Sequence, residues 1–350
     1  MIHNQNNFLK DNKIDVVVTW VDGEDPRHRA KRESFLTKKK EHKRKDIAGE
    51  TRFNQVGEIY YCIASIIKYA SWVNKIYIVT DEQNPYADEF VKRFFPDSTI
   101  PVEVVDHKVI FKGYEQYLPT FNSLTITSML WRIPGLSEHF ILFNDDIILQ
   151  KEAKVEDFYI DGKSVLYGYW HRSWTTKISL ALQTVGRRIV GKKPLLSFKR
   201  VMLNAANILQ APRIIRLRHS PHTFRKSVFQ EFFEAHPEWL IHNIQYRFRN
   251  KTQYSSAELY YLLAISQDKA VLPLLRGKDA FISPSRYSNE ETKKRLDEFA
   301  SNPDIFCFCV NSLDQANPES IDIVTEWMGE VIGIDRVKMV EFLKEIKNKK

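Results

Sequence analysis

The sequence predicts an α/β fold with a mostly parallel sheet, helices on both faces and a helical, basic insertion. Short β-branched runs alternate with helical patterns along the first half of the chain, an order that is typical of parallel sheets. Several of these runs end in aspartate, and a later stretch carries many basic residues and no acidic ones. The length of 350 residues and the composition, 43% hydrophobic and 27% charged, fit an ordinary globular protein.

The first half of the chain contains apolar segments that predict strands, at residues 14–21, 75–81, 102–106 and 140–149. Residues 57–70 lie between the first two segments and predict an amphipathic helix, whose apolar stripe consists of Ile59, Cys62, Ile63, Ile66 and Ile67. Further helical patterns cover 31–45, which is highly charged, and 120–133, which begins near Thr120 or Asn122. Because helices separate the strands, we expect the carboxyl ends of the strands at one edge of the sheet.

The second half of the chain predicts mainly helices. Residues 177–217 interleave apolar and basic side chains, which indicates two or three amphipathic basic helices separated at 191–194 and at Pro212. Residues 225–240 and 255–267 predict conventional helices, and 321–347 a final helix with lysines at its end. These patterns divide the chain into a sheet-forming part (1–161), a basic helical insertion (162–218), a further part (219–320) and a C-terminal helix (321–350).

The formal net charge of +8 is unevenly distributed. Residues 162–230 contain fourteen Lys or Arg and no Asp or Glu, while residues 27–45 contain ten Lys or Arg and two Glu. This asymmetry predicts an anionic partner: a phosphorylated substrate, a charged polymer, anionic lipid or nucleic acid. The alternative is a solvated basic face, which is more credible for 27–45 than for 162–230.

The cysteines and the terminal segment predict a cytoplasmic protein. Cys62, Cys307 and Cys309 form no disulfide framework and lack the spacing of zinc ligands, so we expect reduced core residues. The amino-terminal segment has no apolar stretch of the signal-peptide type. No apolar run approaches the roughly 20 residues of a membrane-spanning helix.

Two adjacent aspartates, Asp145 and Asp146, interrupt the apolar segment FILFNDDIIL. Neighbouring carboxylates repel each other unless a cation lies between them. The alternative is a turn, because Asn-Asp clusters commonly end strands. Asp22, Asp81 and Asp106 also fall at or near predicted strand ends, and ligands bind at that edge of parallel sheets. Their convergence indicates a site.

These segments resemble the Stealth family of sugar-phosphate transferases. IDVVVTWVDGEDP (14–26), TRFNQVGEIYYCIASIIKYASWVNKIYIVTDEQNP (51–85) and FILFNDDIIL (140–149) resemble its first two conserved regions. HSPHTFRKSVFQEFFEAHPEW (219–239) and YRFRNKTQYSSAELYYLLA (246–264) resemble the third region, and FCFCVNSLDQANPESI (306–321) the fourth, less well. The resemblance implies a nucleotide-sugar-binding sheet of the GT-A or Rossmann-like kind. It also implies transfer of a sugar-1-phosphate from a UDP-sugar to a hydroxyl of a glycan or lipid-linked polysaccharide, with UMP leaving, in bacterial capsule or surface polysaccharide synthesis.

Under this resemblance residues 1–161 bind the donor. Asp145 and Asp146 hold Mg²⁺ or Mn²⁺ on its diphosphate. Asp22 contacts donor or acceptor hydroxyls or the outer shell of the metal. The alternative role for Asp22 is that of a simple turn residue. Arg52 is expected to pair with a phosphate, and Glu58 either takes part in donor binding or pairs structurally.

The resemblance also assigns roles to residues 219–320. His219 and His222 flank Ser-Pro, and one of them, by preference His219, takes the proton of the attacking hydroxyl. Arg247 and Arg249 share one face if the backbone is extended, and Arg249 by preference stabilises charge on the transferred phosphate. Asn311 is expected to contact the donor by hydrogen bonding.

The sequence departs from the family pattern at three places. Asn54 stands where the family usually has aspartate, and Ala64 replaces a common arginine. The fourth region reads Val-Asn-Ser-Leu-Asp at 310–314 in place of a motif close to Ile-Asn-Asp. Asp314 is therefore an uncertain substitute for the family's acidic residue.

Two other classes of protein remain open from the sequence. A metal-dependent glycosyltransferase would use the same acidic pair but release UDP. A non-catalytic binder of nucleic acid or another polyanion would use the basic stretch alone, although no nucleic-acid-binding module is recognisable, and no nucleic-acid partner is expected. The basic stretch itself is expected to face either an anionic membrane, placing the protein on its inner face, or the phosphodiesters of a growing polymer.

Overall fold

The computed structural model describes residues 8–9, 12–36, 56–191, 197–273 and 280–349. Its strands are β1 (Ile14–Thr19), β2 (Lys75–Thr80), β3 (Val102–Asp106), β4 (His139–Asn144), β5 (Ile147–Leu149), β6 (Tyr159–Ile160), β7 (Lys163–Val165), β8 (Gly168–Arg172), β9 (Arg213–Leu217), β10 (His222–Arg225), β11 (Ala270–Val271), β12 (Phe281–Ile282) and β13 (Cys307–Val310). Its α-helices are α1 (Pro26–Ser34), α2 (Glu58–Tyr69), α3 (Ala87–Phe94), α4 (His107–Ile110), α5 (Ser123–Thr127), α6 (Ser173–Ile189), α7 (Phe198–Ile208), α8 (Lys226–Ala235), α9 (Pro237–Ile244), α10 (Ser256–Ser266), α11 (Asn289–Ser301), α12 (Pro318–Ile332) and α13 (Arg336–Lys349).

A five-stranded sheet in the order β10-β4-β1-β2-β3 forms the centre of the fold. The four strands from β4 to β3 run parallel, and β10 joins the edge antiparallel to β4. The predicted mostly parallel sheet is confirmed. The chain winds outward from β1 through β2 to β3 and then returns to place β4 on the other side of β1. The topological switch point therefore lies between the carboxyl ends of β1 and β4, where open α/β sheets bind ligands.

Helices cover both faces of this sheet, as predicted, because successive strand residues point to opposite sides. Val16 and Val18 of β1 belong to a core that also contains residues of α2, α3, α12 and α13. Val17 points into a second core with residues of α7, α8, α9 and α10. The α2 stripe is confirmed, but Tyr60 and Tyr61 are buried too, because α2 packs between the sheet layer and α12.

Several helix boundaries differ from the prediction. The predicted helix at 225–240 is two helices, because Pro237 begins a new one. The helical pattern at 120–133 contains the short α5, whose first turn Asn122 caps, and a single 3-10 turn at Leu130–Arg132. The helix expected at 31–45 begins earlier, at Pro26, with Asp25 as its cap, and ends at Ser34. Residues 37–45 lie outside the described part of the chain.

The basic insertion is a pair of helices on a two-stranded ribbon. Helices α6 and α7 confirm two of the predicted helices, but the segment after Pro212 is strand β9 and pairs antiparallel with β8. Its Ile-Ile pair favours a strand once a partner is present. The ribbon requires Gly168, since a Cβ there would lie 2.7 Å from Ile215 and 2.8 Å from the Arg216 carbonyl oxygen. In the described residues no helix is both long and apolar enough to span a bilayer.

A small sheet in the order β12-β13-β5 joins the end of the chain to the central sheet. Strand β5 follows Asp146 directly, and β13 pairs antiparallel with it. The backbone N–H of Val310 donates to the carbonyl oxygen of Asp146 at 2.9 Å. Residues 310–314 are therefore held beside the two aspartates, although more than 160 residues of sequence separate them.

Candidate active site

A cleft of about 470 Å³ lies at the carboxyl edge of the central sheet, at its switch point. Residues from the ends of β1, β2 and β4, from the start of α2 and from the segment after β13 line it together. The polar residues of its lining are Thr19, His28, Glu58, Asp81, His107, Thr120, Ser123, Asn144, Asp145, Asp146, Arg249, Asn311, Ser312 and Asp314. The cleft therefore collects residues from both halves of the chain.

Asp145 and Asp146 lie half-buried in the turn between β4 and β5. Burial raises the pKa of Asp145 well above its usual range, and the nearby carboxylates of Asp146 and Glu58 raise it further. Burial also raises the pKa of Asp146, although the Cys309 thiol, which donates to its Oδ2 at 3.4 Å, opposes that rise. Folding thus forces together two carboxylates that resist ionisation.

Glu58 is a third acid in the same cleft. It begins α2, is buried, and accepts a hydrogen bond from the Val56 backbone N–H at 2.5 Å. Burial raises its pKa to about 7, to which the charges of Asp146 and Asp314 contribute. Glu58 lines the cleft with the acidic pair, and its charge in turn raises the pKa of Asp145.

The residues present fit a hard divalent cation such as Mg²⁺ or Mn²⁺. Oδ1 of Asp146 is buried and has no hydrogen-bond partner within the described residues, which leaves a carboxyl oxygen available for a ligand. Over the same residues no three His, Cys, Asp or Glu side chains form a ready-made metal cage. Mg²⁺ in phosphate-binding sites commonly takes only one or two carboxylates and completes its shell with phosphate and water oxygens. Asp145 and Asp146 are sufficient for that arrangement.

The two arginines of the 246–249 segment separate in the structure. Arg249 lines the cleft, and its Nη2 donates to Ser123 Oγ at 2.6 Å. Arg247 instead donates to the carbonyl oxygens of Gln116 and Leu118. A shared face was expected only for an extended backbone, and that condition is not met because the backbone bends at 247 and 248. A phosphate-binding role for Arg247 stays a prediction, and its contacts here are structural.

The two predicted histidines are not among the residues that line the cleft, and they occupy different environments. Strand β10 pairs with β4 so that His222 lies opposite Leu142, which places the segment before it near the end of β4. His219 is exposed, packs on the Phe281 ring at 4.4 Å and is close enough to Asp146 to lower the pKa of that carboxyl. Burial, with a smaller effect of His219, lowers the pKa of His222 to about 4, and its Nδ1 contacts the Tyr261 hydroxyl at 2.9 Å.

Other predicted residues lie around the cleft. Asn311 lines it and is a hydrogen-bond partner of Asp146. Asp22 lies in a neighbouring cavity of about 350 Å³, where its Oδ1 accepts the Glu24 N–H at 2.9 Å. Asp106 caps α4 and so serves as a turn residue rather than a cleft residue. Arg52 lies outside the described part of the chain.

Some cleft residues were not predicted. His28 and His107 both line it, and burial lowers the pKa of each, that of His28 to about 4. The sequence signal for His107 was its position after Asp106 at a strand end, whereas His28 lies in the basic run 27–45, whose pattern singled out no histidine. Asp314, doubtful from sequence, lines the cleft and acts on the pKa of Glu58.

The fold and the cleft together define an open, doubly wound α/β protein with an acidic ligand site at its switch point. Two family profiles match the chain, Stealth protein CR1, conserved region 1, over residues 12–40, and Stealth protein CR2, conserved region 2, over residues 52–166. The chain belongs to the Stealth protein family.

Curated relatives extend this match along the chain. It is 31% identical over 283 residues to the exopolysaccharide phosphotransferase cps2G of Lactiplantibacillus plantarum, covering 76% of this chain and 80% of that protein. It is 30% identical over 322 residues to the exopolysaccharide phosphotransferase SCO6023 of Streptomyces coelicolor, and this match covers 91% of this chain and 50% of that protein. The match to the capsular polysaccharide phosphotransferase cps1A of Actinobacillus pleuropneumoniae is 38% over 156 residues, and it spans 44% of this chain and 40% of that relative. Among solved structures, mouse xyloside xylosyltransferase 1 aligns with 85% of this chain and 98% of that one, at a TM-score of 0.37 and 8% identity.

Proposed function

We propose that this protein transfers a sugar-1-phosphate from a UDP-sugar to a hydroxyl of a glycan or lipid-linked polysaccharide and releases UMP, in the synthesis of a bacterial capsule or exopolysaccharide. Membership of the Stealth family and the names of the relatives, which are phosphotransferases of such polymers, support sugar-phosphate transfer. The observation that carries the proposal most directly is that the acidic pair and Arg249 line one cleft at the switch point.

The proposed reaction forms one bond and breaks one. The acceptor hydroxyl oxygen attacks the β-phosphorus of the donor, the bond from that phosphorus to the oxygen bridging the two phosphates breaks, and UMP leaves with that oxygen. A divalent cation, when bound, would neutralise charge on the diphosphate. The acceptor proton passes to a ring nitrogen of His219, whose exposed position beside Asp146 suits contact with an incoming hydroxyl.

Three further residues position and screen the substrates in this proposal. Arg249 would neutralise charge on the transferred phosphate, since its guanidinium is fixed by Ser123 at the cleft wall. Asn311 would hold Asp146 in place through its hydrogen bond. His222 would position His219 and Tyr261 rather than act as the base, because its Nδ1 is already engaged with the Tyr261 hydroxyl and burial lowers its pKa to about 4, which makes it a weak base.

Nucleotide product analysis tests the proposal. The protein is incubated with a panel of UDP-sugars, glycan acceptors and Mg²⁺ or Mn²⁺, and the released nucleotide is identified by mass spectrometry. UMP supports sugar-phosphate transfer, whereas UDP would mean transfer of the sugar alone by a glycosyltransferase. Asp145→Asn and Arg249→Ala should lose turnover, and Asp97→Asn, an exposed acid of a distant turn, should retain it.

A cytoplasmic location is part of the same proposal. Cys62, Cys307 and Cys309 are buried and free of disulfides, which suits a reducing compartment. Activity and folding that persist unchanged under strongly reducing conditions would agree with this location. Loss of folding on reduction would contradict it.

A further inference from the structure

Helix α6 presents its most apolar face outward. The exposed large side chains on it are Trp174 (54% exposed), Ile178, Leu182 (69%), Val185 and Ile189 (79%). At 3.6 residues per turn these five side chains lie within an arc of roughly 80°. They form a single outer stripe along the helix, which we call the α6 stripe.

The inward face of the same helix is mainly polar. Ser173, Thr176 and Leu180 are buried against the ribbon and α7, and Thr184 is half-buried and donates to the Leu180 carbonyl oxygen. A helix that belongs to a monomer's surface normally shows the reverse pattern, with its apolar stripe toward the core. Contiguous exposed apolar surface of this kind marks an interaction site.

The surroundings of the α6 stripe are positively charged. Lys177 and Arg188 are exposed and, by helical geometry, border the stripe on one side. Residues 162–230, which include α6, α7 and the ribbon, contain fourteen Lys or Arg and no Asp or Glu. Phe198, which begins the neighbouring helix α7, is also exposed. Apolar side chains bordered by basic ones are the pattern of helices that lie in the interface of an anionic bilayer.

We propose that α6 docks this protein on an anionic membrane surface, with the α6 stripe in the acyl boundary and Lys177 and Arg188 at the headgroups. The helix would lie along the surface and not cross it, because it is about 25 Å long and basic. A second copy of the chain is a poorer occupant, since self-docking would bring two acid-free basic stretches together.

The chain connects this surface closely to the candidate active site. Strand β9 of the ribbon ends at Leu217, two residues before His219. Docking through α6 would therefore hold the segment that carries His219 near lipid-anchored acceptors. The docking proposal itself needs no catalytic activity, so its test does not depend on the proposed function.

Vesicle sedimentation tests the docking. Wild-type protein, without substrates, is mixed with vesicles of phosphatidylcholine alone or of phosphatidylcholine with phosphatidylglycerol. We expect pelleting with the anionic vesicles only, and release at high salt. The double variant Leu182→Glu/Ile189→Glu should bind about tenfold more weakly or worse. The double variant Lys177→Gln/Arg188→Gln should lose about thirtyfold in partitioning, at about fivefold for each charge.

The matched control is Val337→Glu, which places the same charge on an exposed apolar position of α13 (65% exposed) and should bind like the wild type. Far-UV circular dichroism checks that each variant is folded. Equal pelleting of wild type with both vesicle types, no pelleting with either, or unchanged binding of the Leu182→Glu/Ile189→Glu variant would overturn the proposal. So would a concentration-dependent dimer, seen by analytical ultracentrifugation, that Leu182→Glu abolishes, because the α6 stripe would then be covered by a second copy.

Discussion

Replacing Glu58 with glutamine should stabilise the metal-free protein above neutral pH. Burial raises the pKa of this carboxyl to about 7 from 4.5, so the folded state disfavours its charged form. The gap of about 2.5 between the two pKa values corresponds to about 3 kcal/mol, at about 1.36 kcal/mol per pKa unit. Glutamine keeps an oxygen that can accept the Val56 N–H, so the change removes the charge and leaves the hydrogen bond.

The sign of the effect follows from proton linkage. Because the folded pKa is the higher one, the unfolded state releases the proton first, and unfolding becomes easier as pH rises from about 4.5 to about 7. Glutamine does not titrate, so the variant escapes this loss. The difference in unfolding free energy between Glu58→Gln and wild type should be near zero at pH 4.5 and reach about 3 kcal/mol at pH 8.

Urea unfolding with a chelator present, at several pH values between 4.5 and 8, measures this difference. Glu330→Gln is the matched control, because Glu330 is an exposed helix residue and its replacement should have the same small effect at every pH. A Glu58→Gln variant that is destabilised at pH 8, or one whose difference from wild type does not change with pH, would refute the reasoning.

Four further substitutions test individual residues in and around the cleft. Asp145→Asn should raise the melting temperature of the chelated protein, because it removes a carboxyl whose pKa is raised by burial and by the charges of Asp146 and Glu58, and it should abolish any rise on adding Mn²⁺. Arg249→Ala should lower kcat about 10³-fold or more. Arg247→Ala should leave kcat nearly unchanged. It should instead lower the free energy of unfolding by about 1–3 kcal/mol, because the two carbonyl oxygens that accept from Arg247 lose their donor. His219→Gln should lower kcat/KM about 10²-fold or more.

Controls separate these outcomes from general damage. Asp97→Asn, in an exposed turn, should leave both the melting temperature and the response to Mn²⁺ unchanged. His222→Gln should retain the acid limb of the pH profile of kcat/KM, because burial lowers the pKa of that histidine to about 4. A persistent Mn²⁺ response in Asp145→Asn, equal kinetic losses at Arg247 and Arg249, or an acid limb that disappears with His222 would each contradict the corresponding assignment.

The sequence predicted the central sheet because its strands are short, apolar and separated by helices, so local pattern and final topology agree. It also predicted that Asp145 and Asp146 lie at the carboxyl edge, since a strand that ends in acids places them there whatever surrounds it. The strand β9 was missed because its pairing with β8 bridges a helical hairpin, and a basic apolar segment alone does not distinguish a strand from a helix.

Which residues line the cleft depends on long-range contacts that the local sequence pattern does not encode. Asp314 and Asn311 reach the acidic pair only because β13 pairs with β5. Arg247 and Arg249 separate because two bends lie between α9 and the following turn, whereas only an extended backbone would have put them on one face. His28 lines the cleft from a charged helix, in a segment for which the sequence favoured a solvated basic face over an anionic partner.

The proposed chemistry breaks a phosphorus–oxygen bond and leaves the bond from sugar to phosphate intact, and an isotope label follows this directly. A UDP-sugar carrying ¹⁸O between the anomeric carbon and the β-phosphorus is turned over with an acceptor, and both products are weighed by mass spectrometry. Sugar-phosphate transfer predicts unlabelled UMP and a glycan phosphodiester that holds the label. Labelled UDP, with an unlabelled and phosphate-free sugar on the acceptor, would contradict it.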